Sequence, residues 1–165
     1  MAKSEPGLAT LIPAPLDLGE WCAQTTALGQ GAADGEWVEQ GECLREAFAL
    51  LTLAPRGLGA WLNELPARSR FDTMLAAGCW ESAALALLPE EAAWMVSRAA
   101  EGDCMASVLL PGETDEATSH GASPALALVA ALAAALVCAS PAPPLRLSAE
   151  AIDLRRLPRP AGWLH

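Results

Sequence analysis

The chain has 165 residues, 53% hydrophobic and 18% charged, with ten Lys or Arg against twenty Asp or Glu and a formal net charge of −10. That length and apolar content suit one globular domain whose core needs neither disulfides nor a metal, and they exclude a wholly disordered chain. The acidic balance argues against direct nucleic-acid binding, which depends on Lys and Arg neutralising phosphates.

Residues 1–16, with Pro6, Pro13 and Pro15, read as an extended N-terminal arm. Leu18–Leu28 reads as a short helix carrying Trp21 and Cys22, ended by Gly29 and Gly31. A run of acids follows, Asp34, Glu36, Glu39, Glu42 and Glu46, against the single Arg45. The spacing of Leu44, Ala47, Phe48, Leu50 and Leu51 predicts a helix over Glu42–Leu53, stopped by Pro55 and Gly57. Leu58–Leu65 reads as a shorter helix with Leu58, Trp61, Leu62 and Leu65 on one side, and 67–70 as a link.

The next stretch, Phe71 to Leu136, organises the chain. Its first helix is expected over Asp72–Leu87, capped by Asp72 and weakened in the middle by Gly78. Pro89-Glu90-Glu91 then turns the chain. Ala93–Arg98 and Cys104–Leu110 read as two strands of a hairpin. Trp94, Val96 and Arg98 point one way, and Met95 and Ser97 the other. Neither face is cleanly polar, which predicts helices over at least one of them. Residues 112–121 read as an acidic connector containing Glu113, Asp115, Glu116 and a loop histidine, His120. Ser123 and Pro124 are a strong N-cap and N1 pair for a nearly unbroken Ala/Leu helix ending near Ala139. The tail, 140–165, is rich in Pro and Arg and holds Arg146, Arg155, Arg156, Arg159 and Trp163. It predicts a short helix from Ser148 to Leu157 and an arm folded back on the acidic body.

Together these elements predict an α+β fold, helix-rich and small, with a short antiparallel hairpin or sheet packed between or against helices over a single domain, 17–139. With no Tyr and only two Phe, the six tryptophans are the expected large anchors. A weak echo links 46–62 to 81–96, each an acid, an apolar run, a proline and then Ala-Trp. A duplicated unit would give the first copy a helix and then a strand.

Phe71 to Leu136, about 40% of the chain, resembles a family of small uncharacterised proteins common in phages and proteobacterial prophages. The matching residues are Phe71, the run Ala83 to Leu88, Pro89-Glu90, Trp94, Ser97-Arg98, Ala106 to Val108 and Ser123-Pro124-Ala125-Leu126-Ala127-Leu128. Glu91-Ala92 stands where the family has a glycine after Pro-Glu, and the closing helix lacks a terminal Arg. The segment is also similar to the phage ABA sandwich domain. The resemblance implies a phage, prophage or mobile-element origin and α/β/α layering. It implies no activity.

Chemistry-bearing motifs are scarce. The chain has no Walker loop, no dinucleotide-binding glycine pattern and no G-x-S-x-G. The five cysteines, Cys22, Cys43, Cys79, Cys104 and Cys138, have no C-x-x-C spacing, which suits free thiols in a reducing cytoplasm. Neither a cofactor nor a metal is expected, nor a catalytic pairing of Cys79 or Cys104 with His120. The sixteen-residue run Pro124–Ala139 falls short of the roughly 20 residues of a membrane span. What remains is binding. Two acidic patches, Asp34, Glu36, Glu39 and Glu42 in one and Glu113, Asp115 and Glu116 in the other, are candidate docking surfaces for a host or phage protein with a basic surface. The alternative is a structural homo-oligomer packed through the Ala-rich helix.

Overall fold

Ser123 sets the position of the element that every other layer touches. Its hydroxyl accepts from the Leu126 N–H at 3.2 Å and donates to Gln40 Oε1 at 2.8 Å. With Pro124 in the first turn, that cap starts helix α5, Pro124–Ala139. Ala125 through Ala133, Ala135 and Leu136 are all buried. The computed structural model describes residues 14–35, 39–100 and 102–141. Most of the N-terminal arm, Glu36, Trp37, the tail helix over Ser148–Leu157, the fold-back of the tail and Trp163 lie outside the described residues.

Among the described residues the order is α1 (Leu18–Asp34), α2 (Gln40–Thr52), a 3-10 turn (Ala60–Glu64), α3 (Arg68–Ala76), α4 (Trp80–Leu85), β1 (Ala93–Arg98), β2 (Cys104–Leu109), β3 (Ala117–Gly121) and α5. The strands form one antiparallel sheet in the order β1-β2-β3. Helix α5 lies back across β2 and β3, and α1 packs along α5 and touches β3. The α+β fold of helices against a small sheet is as the sequence predicts.

Several boundaries differ from the expectation. Helix α1 runs on through Gly29 and Gly31 to Asp34 and stops at Gly35, whose φ is 73°. Gly29 is not a stop but a crossing point. A Cβ built there would sit 2.9 Å from the Ala133 Cβ of α5, so its absence is what lets the two helices approach. The single helix expected over Asp72–Leu87 is two. Gly78, at φ 70°, breaks it into α3 and α4. Asp72 lies inside α3 and pairs with Arg68 at 3.3 Å instead of capping a helix. The link at 67–70 is the first turn of α3. The acidic connector contains a third strand, β3, so His120 is a strand residue opposite Met105. The echo does not extend to structure, because the stretch after Pro55 forms turns and a 3-10 helix where a duplicate would place a strand.

The α/β/α layering that the resemblance implies is also absent from the described residues. The described helices gather on one face of the sheet, over Cys104, Ala106 and Val108. The opposite face is uncovered, with Met95 57% and Met105 47% exposed.

The core joins Trp21, Leu44, Phe71, Leu87, Val108 and Val129 across the helices and the covered sheet face. Phe48 and Phe71 stack at 4.7 Å between centroids. Of the tryptophans, Trp21 is the buried anchor, Trp61 and Trp80 are half-buried, and Trp94 is 50% exposed at the sheet edge. Beside Trp21, the Thr25 hydroxyl is buried without a hydrogen-bond partner. Burying an unpaired hydroxyl costs about 1–3 kcal/mol. Thr25→Val, which keeps the shape and removes that group, is expected to raise stability by about 1 kcal/mol in urea denaturation. A fall in the denaturation midpoint would show that the hydroxyl is satisfied.

Candidate functional site

The strand register fixes where the candidate residues stand. Leu109 at the end of β2 pairs with Ala93 at the start of β1, and Val108 pairs with Ala117 at the start of β3. The turn before β1 and the β2–β3 connection therefore leave the same end of the sheet. Glu113, Asp115 and Glu116 stand exposed there, as expected. Glu90 and Glu91, both exposed, join them. Sequence reading placed those two only in a turn. Hairpin register was the signal that could have added them, because it brings the residues before β1 beside those after β2. None of the five forms an ion pair among the described residues, where the one ion pair is Arg68–Asp72.

The other acidic patch lies elsewhere. Asp34 ends α1, Glu39 precedes α2 and Glu42 is in its first turn, all exposed, and Glu36 is outside the described residues. The Gln40–Ser123 hydrogen bond ties this corner to the start of α5. That start follows Gly121, at the far end of β3 from Ala117. The strand alone separates the two patches by about 14 Å at 3.4 Å per residue. They are two surfaces, not one.

The uncovered sheet face runs from the sheet-end patch towards the other end of the strands. Its residues are Ala93, Met95 and Ser97 of β1, Met105, Ser107 and Leu109 of β2, and Thr118 and His120 of β3. It holds no Asp, Glu, Lys or Arg. Ser107 and Thr118 join their hydroxyls across the strands at 2.8 Å. Strand alternation in the sequence already separated Met95 from Trp94. It could not show which of the two faces the helices cover.

Among the described residues, Cys104 and His120 stand on opposite faces of the sheet. Cys104 pairs with Gly121 and its side chain is buried on the helix side, and His120, one residue along, projects from the other face. Cys79 is exposed at the α3–α4 break. Among the described residues no three His, Cys, Asp or Glu side chains are placed to hold a metal ion. Nor is any helix there long and apolar enough to cross a membrane.

The described thiols are free and differ in environment. Cys43 on α2 is fully buried, and burial, with the Glu46 carboxylate nearby, pushes its thiol up from 9.0 to about 12. Its folded value is raised, so the stabilisation from keeping it protonated is full below pH 9 and is lost as pH rises from about 9 towards about 12. At pH 8, iodoacetamide is expected to modify exposed Cys79 and to leave Cys43 intact until the protein is unfolded. Mass spectrometry of the peptides checks this, and early labelling of Cys43 in folded protein would contradict its burial.

Helix α5 offers little of itself to another copy. Pro124, Ala134, Val137, Cys138 and Ala139 keep some exposure, and Ala134, Val137 and Cys138 line a groove of about 330 Å³ shared with α1. Comparison with protein-family models, with curated proteins and with solved structures returned no match to this chain.

Proposed function

We propose that this chain is a non-catalytic protein-binding module, an accessory protein of phage, prophage or mobile-element origin acting in the cytoplasm. Its acidic sheet end docks the basic surface of a host or phage protein. The observation that carries the reading is the gathering of Glu90, Glu91, Glu113, Asp115 and Glu116, all exposed, at one end of the sheet with no ion pair among the described residues. Closely placed like charges raise the cost of folding by mutual repulsion, and a basic partner would relieve that repulsion. The sheet face with Met95 adjoins this end and adds apolar contact area next to the charge. The acidic body would in this way resemble a nucleic acid to a DNA- or RNA-binding protein. The origin rests on the sequence resemblance over Phe71 to Leu136.

The test is affinity capture from a candidate host over a salt series, with the protein and its Glu90→Gln/Glu91→Gln/Glu113→Gln/Asp115→Asn/Glu116→Gln variant run in parallel. One basic, nucleic-acid-binding protein should be retained at low salt, released as salt rises and absent from the variant. Equal capture by the variant would overturn the assignment of this surface. Persistence at high salt would show that charge is not what holds the partner.

A further inference from the structure

The groove between α1 and α5 is built from two helical faces and one strand. Thr26, Gly29, Gln30 and Ala33 of α1 face Ala130, Ala133, Ala134, Val137 and Cys138 of α5, with Ser119 of β3 between them. Both helical sets follow the i, i+3, i+4, i+7 spacing of a single face. The lining carries no charge and is mostly small and apolar, so it leaves about 330 Å³ that none of the described residues fills. Apolar surface exposed in a groove of this size is stabilised by being covered.

Where the groove begins and ends points to its occupant. The two helices are antiparallel, because the short 35–39 connection and the Gln40–Ser123 bond place the end of α1 near the start of α5. One mouth of the groove is therefore the last turn of α5, at Val137 and Cys138, from which the chain continues past Pro141. The other mouth is the end of α1, next to Asp34, Glu39 and Glu42.

We propose that the chain's own C-terminal segment, residues 142–165, lies back along this groove, seating apolar side chains from the stretch Leu145–Leu157 and bringing Arg155, Arg156 and Arg159 to Asp34, Glu39 and Glu42. Length allows it. The fourteen residues from Pro141 to Arg155 can reach up to roughly 46 Å extended, against about 24 Å for the sixteen-residue length of α5, whose start lies near Glu39 and Glu42. Charge favours it. The segment holds four of the chain's ten basic residues against two acids, whereas the described residues hold fifteen acids against five arginines. Covalent attachment beside the groove makes the contact intramolecular, at an effective concentration on the order of millimolar or above. The contact uses the α1–α2 patch and leaves the sheet-end carboxylates open, so it stands independently of the partner reading above.

Cys138 in the groove is the reporter, and Cys79, exposed at the α3–α4 break, is the internal control. Alkylation of both is followed by peptide mass spectrometry in the full chain and in the full-chain variant Arg155→Glu/Arg156→Glu/Arg159→Glu. Cys138 is expected to react about fivefold or more faster in the variant, with Cys79 unchanged. Adding Asp34→Lys/Glu39→Lys/Glu42→Lys should restore the slow rate by reversing both partners. Equal Cys138 rates in wild type and variant overturn the proposal. Protection that grows with protein concentration also overturns it, because the groove would then be covered by a second copy.

Discussion

Trp21→Ala is expected to destabilise the protein by about 3–5 kcal/mol, the range for deleting a fully buried large aromatic side chain. Trp21 is 0% exposed, and its indole N–H donates to the Leu50 carbonyl at 2.8 Å, linking α1 to α2. Leu28, Leu51, Val129, Leu132 and Leu136 surround the same small space between the three helices. Helices held by so many contacts can relax only partly into the void, which places the loss in the upper part of that range. Trp21→Phe separates the two contributions. It keeps most of the ring volume and loses the hydrogen bond, so it should cost about 1–2 kcal/mol. Urea denaturation of both variants measures the difference. A Trp21→Ala cost under about 1 kcal/mol would mean that the α1–α2–α5 junction is not the centre of the core.

Gly121→Ala should be nearly as damaging, by a different route. A Cβ at residue 121 would meet the Ala127 nitrogen at 2.6 Å, the Leu126 carbonyl carbon at 3.0 Å and the Ala127 Cα at 3.1 Å. These are backbone atoms in the first turns of α5, held in place by the Ser123 cap and its bond to Gln40. No side chain can swing aside, so the start of α5 must move off the sheet. Overpacking of this kind costs about 1–3 kcal/mol and is expected at the top of that range here. For a domain of this size, roughly 6–12 °C of Tm would be lost. Gly29→Ala acts in the same way at α1, because its Cβ would meet the Ala133 Cβ at 2.9 Å, a methyl fixed to the α5 backbone. A Gly121→Ala variant that melts with the wild type would show that α5 does not depend on its contact with β3.

The two predictions differ in how far the sequence could have led to them. Trp21 stands out by composition, as one of six tryptophans in a chain poor in other aromatics. Gly121 does not, because nothing in a serine-, histidine- and glycine-rich stretch says that a helix backbone lies against it. The acidic patches show the same division. Asp34, Glu39, Glu42, Glu113, Asp115 and Glu116 were visible as charge runs and are exposed. That Glu90 and Glu91 belong with Glu113, Asp115 and Glu116 follows from the pairing of Ala93 with Leu109 and of Val108 with Ala117, and that Asp34 does not follows from the Gln40–Ser123 bond at the far end of β3.

Local signals were strongest where one residue decides a backbone conformation. Ser123-Pro124 predicted the start of α5, and the alternating run from Ala93 predicted β1 and its partner. Gly78 was noted as a weak point, yet its positive φ turns one expected helix into two. Strand β3 was missed because its residues, Ala-Thr-Ser-His-Gly, have little strand preference of their own. Its edges are half satisfied by pairing with β2, and its register is tied by the Ser107–Thr118 hydroxyl contact.

By itself, then, the sequence determined the class of fold, the buried Ala/Leu helix, the hairpin and the acidic character of the surface. Each of these is written in periodicity, caps or composition, which act over a few neighbouring residues. The tertiary structure alone decided which sheet face stays uncovered, which carboxylates share an end of the sheet, and that α1 and α5 leave a groove beside the last turn before Pro141. Those outcomes depend on how helices of nearly uniform alanine surface cross one another. Gly29 against Ala133 and Gly121 against Ala127 set those crossings at contact distance between residues far apart in the chain.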